Sequence, residues 1–285
     1  MIRLCAFADE ADKMLDGQIC ALKRNNISLI ELRGVDGTNV AELSEEQAVA
    51  YSARLREAGI KVWSIGSPIG KVDIDCDMEE YLGKVRHVCH LARIFNTDKI
   101  RMFSFYGAHE KEDEVISRLG AMVSVAGEEG VKLYHENEKK IFGDTLDRVL
   151  RIRERLPELG LIYDPANFIE VGEPAERTLD QLHSYADYFH VKDAIASTLE
   201  IVPAGCGDGR IAELVGRISP TDDKVLTLEP HLRTFAGFSA LDDSALRNKY
   251  TYATAEEAFD TAVSALKEIL KNQGYIEING GFIRK

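Results

Sequence analysis

The sequence lacks the features of a secreted, membrane-spanning or disulfide-bonded protein. Its five cysteines are odd in number and form no Cys-x-x-Cys pair, which argues against a disulfide framework and against a zinc cluster. No stretch approaches the roughly 20 apolar residues that span a bilayer. Acidic residues at Asp9 and Glu10 come too early for a secretory signal. We therefore expect reduced thiols, a cytoplasmic location and no membrane partner.

Positive charge is scarce as well. The chain has 35 basic and 48 acidic residues, a formal net charge of −13. A field of that sign repels nucleic acid and anionic membranes, so we expect no nucleic-acid partner. Low-complexity segments and Pro- or Gly-rich linkers are also missing, and nothing marks a domain boundary. The sequence therefore predicts one domain over residues 1–285.

What the chain does contain is a regular alternation of strands and amphipathic helices. Helical periodicity is clear in Glu45–Ala58, with Ser44 as the N-cap and Gly59 as the stop. Short β-rich runs recur near residues 2–8, 28–33, 60–66, 99–105, 131–136, 160–164, 187–191 and 224–229. Eight such alternations predict an α/β fold, a (β/α)8 TIM barrel. An open doubly wound sheet is the alternative, but the recurrence is even and a Gly-rich first turn is missing.

Four of the predicted strands end on residues that bind divalent cations: Glu136, Asp164, His190 and Glu229. In a barrel the C-terminal ends of the strands gather at one mouth, where active sites lie. Three carboxylates and one imidazole form an oxygen-rich set that suits Mn²⁺ or Mg²⁺, with Co²⁺ and Zn²⁺ as substitutes. Each residue alone could equally cap the next helix or pair with a lysine. The four together predict a metal site.

Three neighbours of these ligands have two readings each. Strand alternation points His135 away from the mouth, so a packed core histidine is the preferred interpretation. His231 either faces the mouth and contacts substrate or lies in a loop. Lys192 is two residues past His190 and shares its face of the strand. A lysine buried beside a cation has a lowered pKa and can shuttle protons, whereas a salt bridge to a carboxylate is the structural alternative.

Lys71, Arg33 and Arg210 are three further predicted substrate contacts. Lys71 ends the third strand and can reach a substrate oxygen. Glu31 and Arg33 share one face at the end of the second strand, where they are structural or line the floor of the pocket. Arg210 closes the glycine-rich segment 204–210. That segment is either a phosphate cradle or a mobile loop over the mouth, and the loop is the preferred interpretation.

Several segments resemble the motifs of the sugar isomerase/epimerase superfamily, the xylose-isomerase-like TIM barrels. The resemblance covers essentially the whole chain, and the order Glu, Asp, His, Glu is specific in combination. The segments are His135-Glu136-Asn137-Glu138, Tyr163-Asp164-Pro165-Ala166-Asn167-Phe168, His190-Val191-Lys192-Asp193, Leu228-Glu229-Pro230-His231, Ala8-Asp9-Glu10-Ala11, Ile30-Glu31-Leu32-Arg33 and Ser67-Pro68-Ile69-Gly70-Lys71.

The resemblance implies a single divalent ion, usually Mn²⁺, held by Glu136, Asp164, His190 and Glu229. In the family's epimerases the ion chelates the carbonyl and a neighbouring hydroxyl of a sugar. One ligand glutamate removes the proton α to the carbonyl and the other returns it from the opposite face, roles that fall here on Glu136 and Glu229. The ion neutralises the charge of the enediolate. A carbohydrate substrate and a homodimer are also implied.

The chain departs from the family's ketose 3-epimerases at two positions. They place a histidine three residues after the strand-six aspartate, where this chain has Asn167, a predicted substrate contact. They also carry an arginine about six residues past the strand-seven histidine, where this chain has Ala196. Lys192 stands nearby on the strand and is a third candidate for acid–base chemistry. These departures leave the substrate open.

The preferred reading of the sequence is a metal-dependent sugar isomerase or epimerase acting by proton abstraction α to a carbonyl. A lyase or dehydratase on a keto-sugar or keto-glycoside needs the same base and the same ion, so it remains an alternative. A metal-dependent endonuclease is disfavoured by the net charge and by seven histidines that mostly lie outside strand ends. A non-catalytic sugar-binding protein is disfavoured because all four ligand types are present.

Overall fold

Eight parallel strands close into a barrel in the computed structural model, which describes residues 1–233 and 250–284. Consecutive strands are neighbours throughout, and β8 pairs in parallel with β1 from Ile2↔Lys224 to Ala6↔Leu228, which closes the sheet. The (β/α)8 fold expected from the sequence is confirmed. The strands are β1 Ile2–Ala6, β2 Leu29–Leu32, β3 Lys61–Ile65, β4 Lys99–Met102, β5 Lys132–Glu136, β6 Gly160–Tyr163, β7 Tyr188–Val191 and β8 Lys224–Leu228.

Helices connect these strands on the outside of the barrel. Helix α2 begins with the cap that the sequence predicts: Ser44 Oγ accepts from the backbone N–H of Gln47, and the Gln47 side chain accepts from the Ser44 N–H. The helices are α1 Leu15–Arg24, α2 Glu45–Glu57, α3 Met78–Ile94, α4 Glu112–Glu128, α5 Leu146–Arg155, α6 Pro165–Glu170, α7 Ala175–Leu182, α8 Ile211–Arg217 and α9 Ala255–Asn272. None of the helices in the described part is long and apolar enough to cross a membrane.

A hairpin after α9 extends the sheet beside β1. Its strands are β9 Tyr275–Ile278 and β10 Gly281–Arg284, and β10 pairs antiparallel with the start of β1 at Ile2↔Phe282. Because β2 pairs only with the end of β1, the hairpin and β2 share one edge of that strand without competing. The hairpin therefore lies at the N-terminal end of the barrel, away from the predicted mouth.

The barrel interior is layered, with an apolar floor below a charged upper half. Seven strands each contribute one residue to the floor: Cys5, Leu29, Trp63, Tyr134, Ile162, Tyr188 and Val225. Tyr188 joins the two layers, because its ring packs in the floor and its hydroxyl donates to Glu31 Oε1 at 3.0 Å. The charged groups above it are thus held on a rigid apolar base.

Candidate metal centre

The structure brings the four predicted ligands together at the C-terminal ends of adjacent strands. Glu136 is the last residue of β5, Asp164 follows β6, His190 lies in β7 and Glu229 follows β8. One ligand atom from each residue lies within 4.8 Å of the others, and all four side chains are buried. Parallel strands of a barrel bring their C-terminal ends to one side, which explains why residues far apart in sequence meet here.

His190 is the centre of the cluster. Its Nδ1 lies 3.0 Å from Glu136 Oε1 and 3.0 Å from Glu229 Oε2. Its Nε2 lies 3.2 Å from Glu31 Oε2 on the other side of the ring. The imidazole is also packed edge-on against Phe7, with ring centroids 5.2 Å apart. The ring is therefore fixed in place, with Nδ1 directed at two of the other predicted ligands.

Two carboxylate oxygens of the cluster have no hydrogen-bond donor among the described residues. These atoms are Asp164 Oδ2 and Glu229 Oε2, both buried. Lys192 Nζ lies 3.2 Å from Asp164 Oδ2 as an ion pair without hydrogen-bond geometry, and the Glu229 atom faces His190. Buried acceptors without donors are costly, and a bound cation would satisfy both of these oxygens. Both atoms belong to residues predicted to be ligands.

The charges around the cluster do not balance. Buried cations are Arg33, Arg101 and Lys192. Buried carboxylates, twice as many, are Asp9, Glu10, Glu31, Glu136, Asp164 and Glu229. An excess of negative charge in a buried site is relieved either by a cation or by protons.

The pKa values of these buried groups reflect their burial and their mutual charges. Burial raises the pKa of Asp164 to about 7, against the opposing charge of Lys192, and burial raises that of Glu10 to about 8. Burial alone would lower the pKa of His190, but the carboxylates of Glu136 and Glu31 outweigh it and hold that pKa well above its usual value. Three carboxylates, one imidazole and this surplus of charge fit a divalent ion.

A second group of potential ligands lies beside the first but already contains a cation. Glu10, Glu229 and His231 also have ligand atoms within 4.8 Å of one another. Arg33 Nη1 lies 3.0 Å from Glu229 Oε1, and Arg33 Nη2 lies 3.2 Å from Glu10 Oε1. Asp9 holds the same guanidinium with two hydrogen bonds, at 2.9 and 3.0 Å. The guanidinium thus neutralises this second group, and the geometry favours one ion.

A small polar pocket, with a cavity volume of about 20 Å³, opens above the cluster. Lys71 and Glu138 face each other on its wall, 3.0 Å apart. Its lining consists of Lys71, Arg101, Glu138, Asn167, Glu170, Lys192, Glu229 and His231. Four predicted substrate or acid–base residues, Lys71, Asn167, Lys192 and His231, therefore meet at the pocket together with the ligand Glu229.

Three other residues from the sequence prediction do not line this pocket as the described residues form it. Arg33 is buried beneath it and acts through Glu229. Glu136 is held below the surface by Arg101 and His190. Arg210 is 2.5 Å from Glu213 at the start of α8 and half-exposed. The structure thus gives Arg210 a local partner and places Arg33 behind a ligand.

The glycine-rich loop is occupied by a side chain of the protein itself. Asp193 accepts hydrogen bonds from the backbone N–H groups of Gly205, Gly207 and Gly209 at 2.8, 3.1 and 2.8 Å, and from Ala194 at 2.9 Å. A nest of backbone amides is an anion site, and here a buried carboxylate fills it. The phosphate-cradle reading of segment 204–210 is therefore not supported, since three of its donors are already used.

Lys192 and His135, two neighbours of the predicted ligands, both have a partner inside the protein. Lys192 forms the ion pair with Asp164 described above. Burial lowers the pKa of Lys192, but the charges of Asp164 and Glu229 outweigh burial and raise that pKa well above its usual value. His135 is a packed core histidine, as preferred: its Nε2 is 3.0 Å from Ser104 Oγ. Burial lowers the pKa of His135 to about 3.

Sequence reasoning missed Arg101. Its guanidinium lies 3.1 Å from Glu136 Oε2 and 3.6 Å from Glu229 Oε1. The available signal was a charged residue flanked by Ile100 and Met102 in a strand predicted to be buried. Such a residue is expected to point into the barrel and to find a partner there.

Comparisons with known proteins agree with this fold. The sequence model of the xylose isomerase-like TIM barrel family matches residues 21–269. No curated protein sequence matches the chain. A crystal structure of the IOLI protein with a bound zinc atom is similar, with a TM-score of 0.72 and 17% identity over 95% of this chain and 99% of that one.

Two other solved structures illustrate the range of proteins with this architecture. The probable 3-DHS dehydratase AsbF from Bacillus anthracis has a TM-score of 0.68 and 17% identity, over 94% of this chain and 98% of that one. L-ribulose 3-epimerase has a TM-score of 0.68 and 16% identity, over 95% and 97%. At these identities the likeness establishes the fold alone. The family match covers most of the sequence, and the chain belongs to the xylose isomerase-like TIM barrel family.

Proposed function

We propose that this protein is a divalent-metal-dependent sugar isomerase or epimerase that moves a proton α to a carbonyl group. The observation that carries the proposal is the group of four ligand atoms within 4.8 Å of one another at the base of a polar pocket. Two of these residues present buried carboxylate oxygens that lack a donor among the described residues. Membership of a family that contains sugar epimerases supports the reaction class.

The ion would be held by Glu136, Asp164, His190 and Glu229. When bound, a divalent ion supplies Lewis-acid stabilisation of negative charge that develops on substrate oxygens. Mn²⁺ is the preferred candidate because the set is rich in oxygen and has one imidazole, and Mg²⁺, Co²⁺ and Zn²⁺ suit it less well. The zinc atom in the similar IOLI structure is consistent with a divalent site in this fold.

Among the acid–base candidates, Glu229 and Lys192 line the pocket. Both oxygens of Glu136 are engaged, Oε1 by His190 and Asn167 and Oε2 by Arg101. We therefore assign proton removal to Glu229 and proton return to Lys192. Glu136, which the family resemblance pairs with Glu229, would act as a ligand and as the reserve candidate for the second acid–base role.

The polar groups on the pocket wall match the oxygen atoms of a carbohydrate. Lys71, Asn167 and His231 offer nitrogen groups to hydroxyl or carbonyl oxygens, and Glu138 and Glu170 offer acceptors. Arg33 would contribute indirectly, by orienting Glu229. A homodimer and a cytoplasmic location stay predictions from the sequence.

A lyase or dehydratase is the second candidate, and the asymmetry of the pocket favours it. Of the three acid–base candidates, one carboxylate, Glu229, and one ammonium, Lys192, line the pocket, where an epimerase of the resembled type would use two carboxylates. Glu229 would remove the α-proton, and Lys192 would protonate the leaving group at the β carbon. An endonuclease is disfavoured because Arg33 already neutralises the second group of acidic ligands.

The first experiment is metal analysis of the purified chain by mass spectrometry. We expect about one Mn²⁺, Co²⁺ or Zn²⁺ per wild-type chain, and loss or weakening of it in Glu229→Gln. Glu154→Gln, an exposed change of the same chemistry on α5, is the matched control. A wild-type chain that binds no ion in metal-replete medium would refute the proposal.

Ketoses and keto-glycosides are then screened in D₂O with the metal-loaded protein. Deuterium at the α carbon with an intact carbon chain and all hydroxyls retained identifies an isomerase or epimerase. Loss of water or of an alcohol identifies the lyase alternative. Absence of both from a metal-loaded chain would leave the metal site without this chemistry.

A further inference from the structure

Each of the three carboxylates in the cluster has one oxygen directed inward and the other held from outside. Asp164 Oδ1 accepts from the backbone N–H of Asn167 at 3.0 Å, while Oδ2 is the unbonded oxygen. The first contact is an ordinary helix cap at the start of α6. Asp164 is therefore restricted to one inward oxygen by local backbone structure.

The two glutamates are restricted by arginines. Glu136 directs Oε1 to His190 Nδ1 and Oε2 to Arg101 Nη1, at 3.0 and 3.1 Å. Glu229 directs Oε2 to His190 Nδ1 at 3.0 Å. Its Oε1 lies 3.0 Å from Arg33 Nη1 and 3.6 Å from Arg101 Nη1. One nitrogen of Arg101 therefore stands between the outer oxygens of both glutamates.

Arg101 is itself fixed from several sides. Its Nη2 donates to the carbonyl of Gly66 at 3.2 Å. Its guanidinium carbon lies 4.8 Å from the ring centroid of Phe7 and 5.1 Å from that of Phe103. Only 2% of the side chain is exposed. A guanidinium held between two rings and a carbonyl cannot follow the glutamates if they rotate, so it sets their orientation.

The number of oxygens that the glutamates offer decides how many positions on an ion stay open. Mn²⁺ and Mg²⁺ are octahedral, with about six ligands. Two glutamates binding through both oxygens, together with Asp164 and His190, would fill all six. With one oxygen each, the four residues fill four positions and leave two, which matches a substrate that binds through two neighbouring oxygens.

We propose that Arg101 is a positioning residue that makes Glu136 a single-oxygen ligand, as Arg33 does for Glu229, and so keeps two positions on the ion open for substrate. The proposal rests on the metal site of the proposed function and deepens it. It assigns to Arg101 the control of coordination number, a role separate from charge balance and from acid–base chemistry.

The test counts the exchangeable water molecules on bound Mn²⁺ by water-proton relaxation. We expect about two in the wild-type protein and about one in Arg101→Met, because Oε2 of Glu136 would then be free to bind the ion while Arg33 still holds Oε1 of Glu229. Arg101→Lys keeps the charge but not the planar guanidinium, so a count between those of the wild type and Arg101→Met is expected. Arg93→Met removes an exposed arginine that pairs with Glu129 and should leave the wild-type count unchanged.

The outcomes are distinguishable. Fewer than two waters on the wild-type ion, or two waters retained in Arg101→Met, would overturn the role of Arg101 while leaving the metal site intact. A wild-type chain without any ion would overturn the proposed function and this role together. If neither Arg101 variant folds, as judged by circular dichroism, the wild-type count alone decides, since the proposal requires two.

Discussion

His190 and Glu31 lie 3.2 Å apart through Nε2 and Oε2, on the side of the imidazole opposite Nδ1. A carboxylate there accepts a hydrogen bond from Nε2–H and leaves Nδ1 as the nitrogen directed at Glu136 and Glu229. Histidines that bind metals commonly have such a partner, which fixes the tautomer and the ring orientation. Glu31 is on β2, so a strand that contributes no predicted ligand still shapes the site.

Glu31→Gln should weaken Mn²⁺ binding by about 10-fold to 100-fold, because an amide holds the ring less firmly and makes it a poorer donor to the ion. Titration of the metal-free protein with Mn²⁺ measures the change. Tyr188→Phe is the control, since it removes the hydroxyl that bonds Glu31 Oε1 and leaves the contact with His190. Equal affinity in wild type and Glu31→Gln would show that the contact has no role in binding.

The buried ring of His135 should make the protein sensitive to acid. Burial lowers its pKa from 6.5 to about 3, so below pH 6.5 the unfolded chain takes up a proton that the folded chain does not. The free energy of unfolding should therefore fall by about 1.4 kcal/mol per pH unit from this residue as the pH drops from 6.5 towards 3. Above pH 6.5 both states are neutral, and the residue adds no pH dependence.

Urea unfolding of His135→Gln as a function of pH checks this. The variant should lose that part of the slope between pH 6.5 and pH 4, since its amide does not titrate. His90→Gln, on the exposed face of α3, is the surface control. Identical slopes for wild type and His135→Gln would contradict the prediction.

Asp193→Ala should release the glycine-rich loop. Four backbone N–H groups lose their acceptor, and each buried donor left without one costs about 1–3 kcal/mol. Allowing for water that enters, we expect a loss of about 3 kcal/mol or more in the free energy of unfolding. Faster proteolysis within 203–210 should accompany it.

Asp193→Asn separates the acceptor count from the size of the side chain. One oxygen remains and one becomes an NH₂ group facing backbone donors, so this variant should be destabilised nearly as much as Asp193→Ala. Full stability of the asparagine variant, measured by the same urea unfolding, would mean that the loop is held by other contacts.

Gly70 should tolerate no side chain. It has a φ of +87°, and a Cβ atom there would lie 2.0 Å from the carbonyl oxygen of Phe103. Gly59 has a similar φ of +77° and nothing within 4 Å of its Cβ position. Gly59→Ala should therefore cost about 1–2 kcal/mol from the left-handed backbone alone. Gly70→Ala should cost about 1–3 kcal/mol more, and thermal unfolding of the pair isolates the clash. Equal losses would contradict it.

The fold and the four clustered residues were predictable because both follow from local patterns. The hydrophobic periodicities of strands and helices predict the alternation of the two kinds of element. Parallel strands that each end on an ionisable residue must bring those residues to one end of the barrel. The predicted strand boundaries were less accurate at the C-terminal ends of the strands. The predicted strand 99–105 ends at Met102, because Phe103 and Phe105 donate their N–H groups to Ile69 and Gly70. Their apolar side chains are fully buried, as those of a strand would be.

Arg101 and the filling of the glycine nest by Asp193 were not predictable in the same way. Both depend on groups that arrive from distant parts of the chain, Gly66 and Glu229 in one case and Gly205 to Gly209 in the other. A single sequence shows that a charge is buried but does not show which opposite charge it meets. Only the three-dimensional register supplies that partner.

The four residues of the cluster belong to four consecutive strands, β5 to β8, that make up half of the barrel wall. An ion bound there would link these strands to one another at the C-terminal end of the barrel. Because a bound ion stabilises only the folded chain, its supply would set how long the protein survives cellular proteases. Metal starvation would then lower the amount of the protein in the cell as well as the activity of its site.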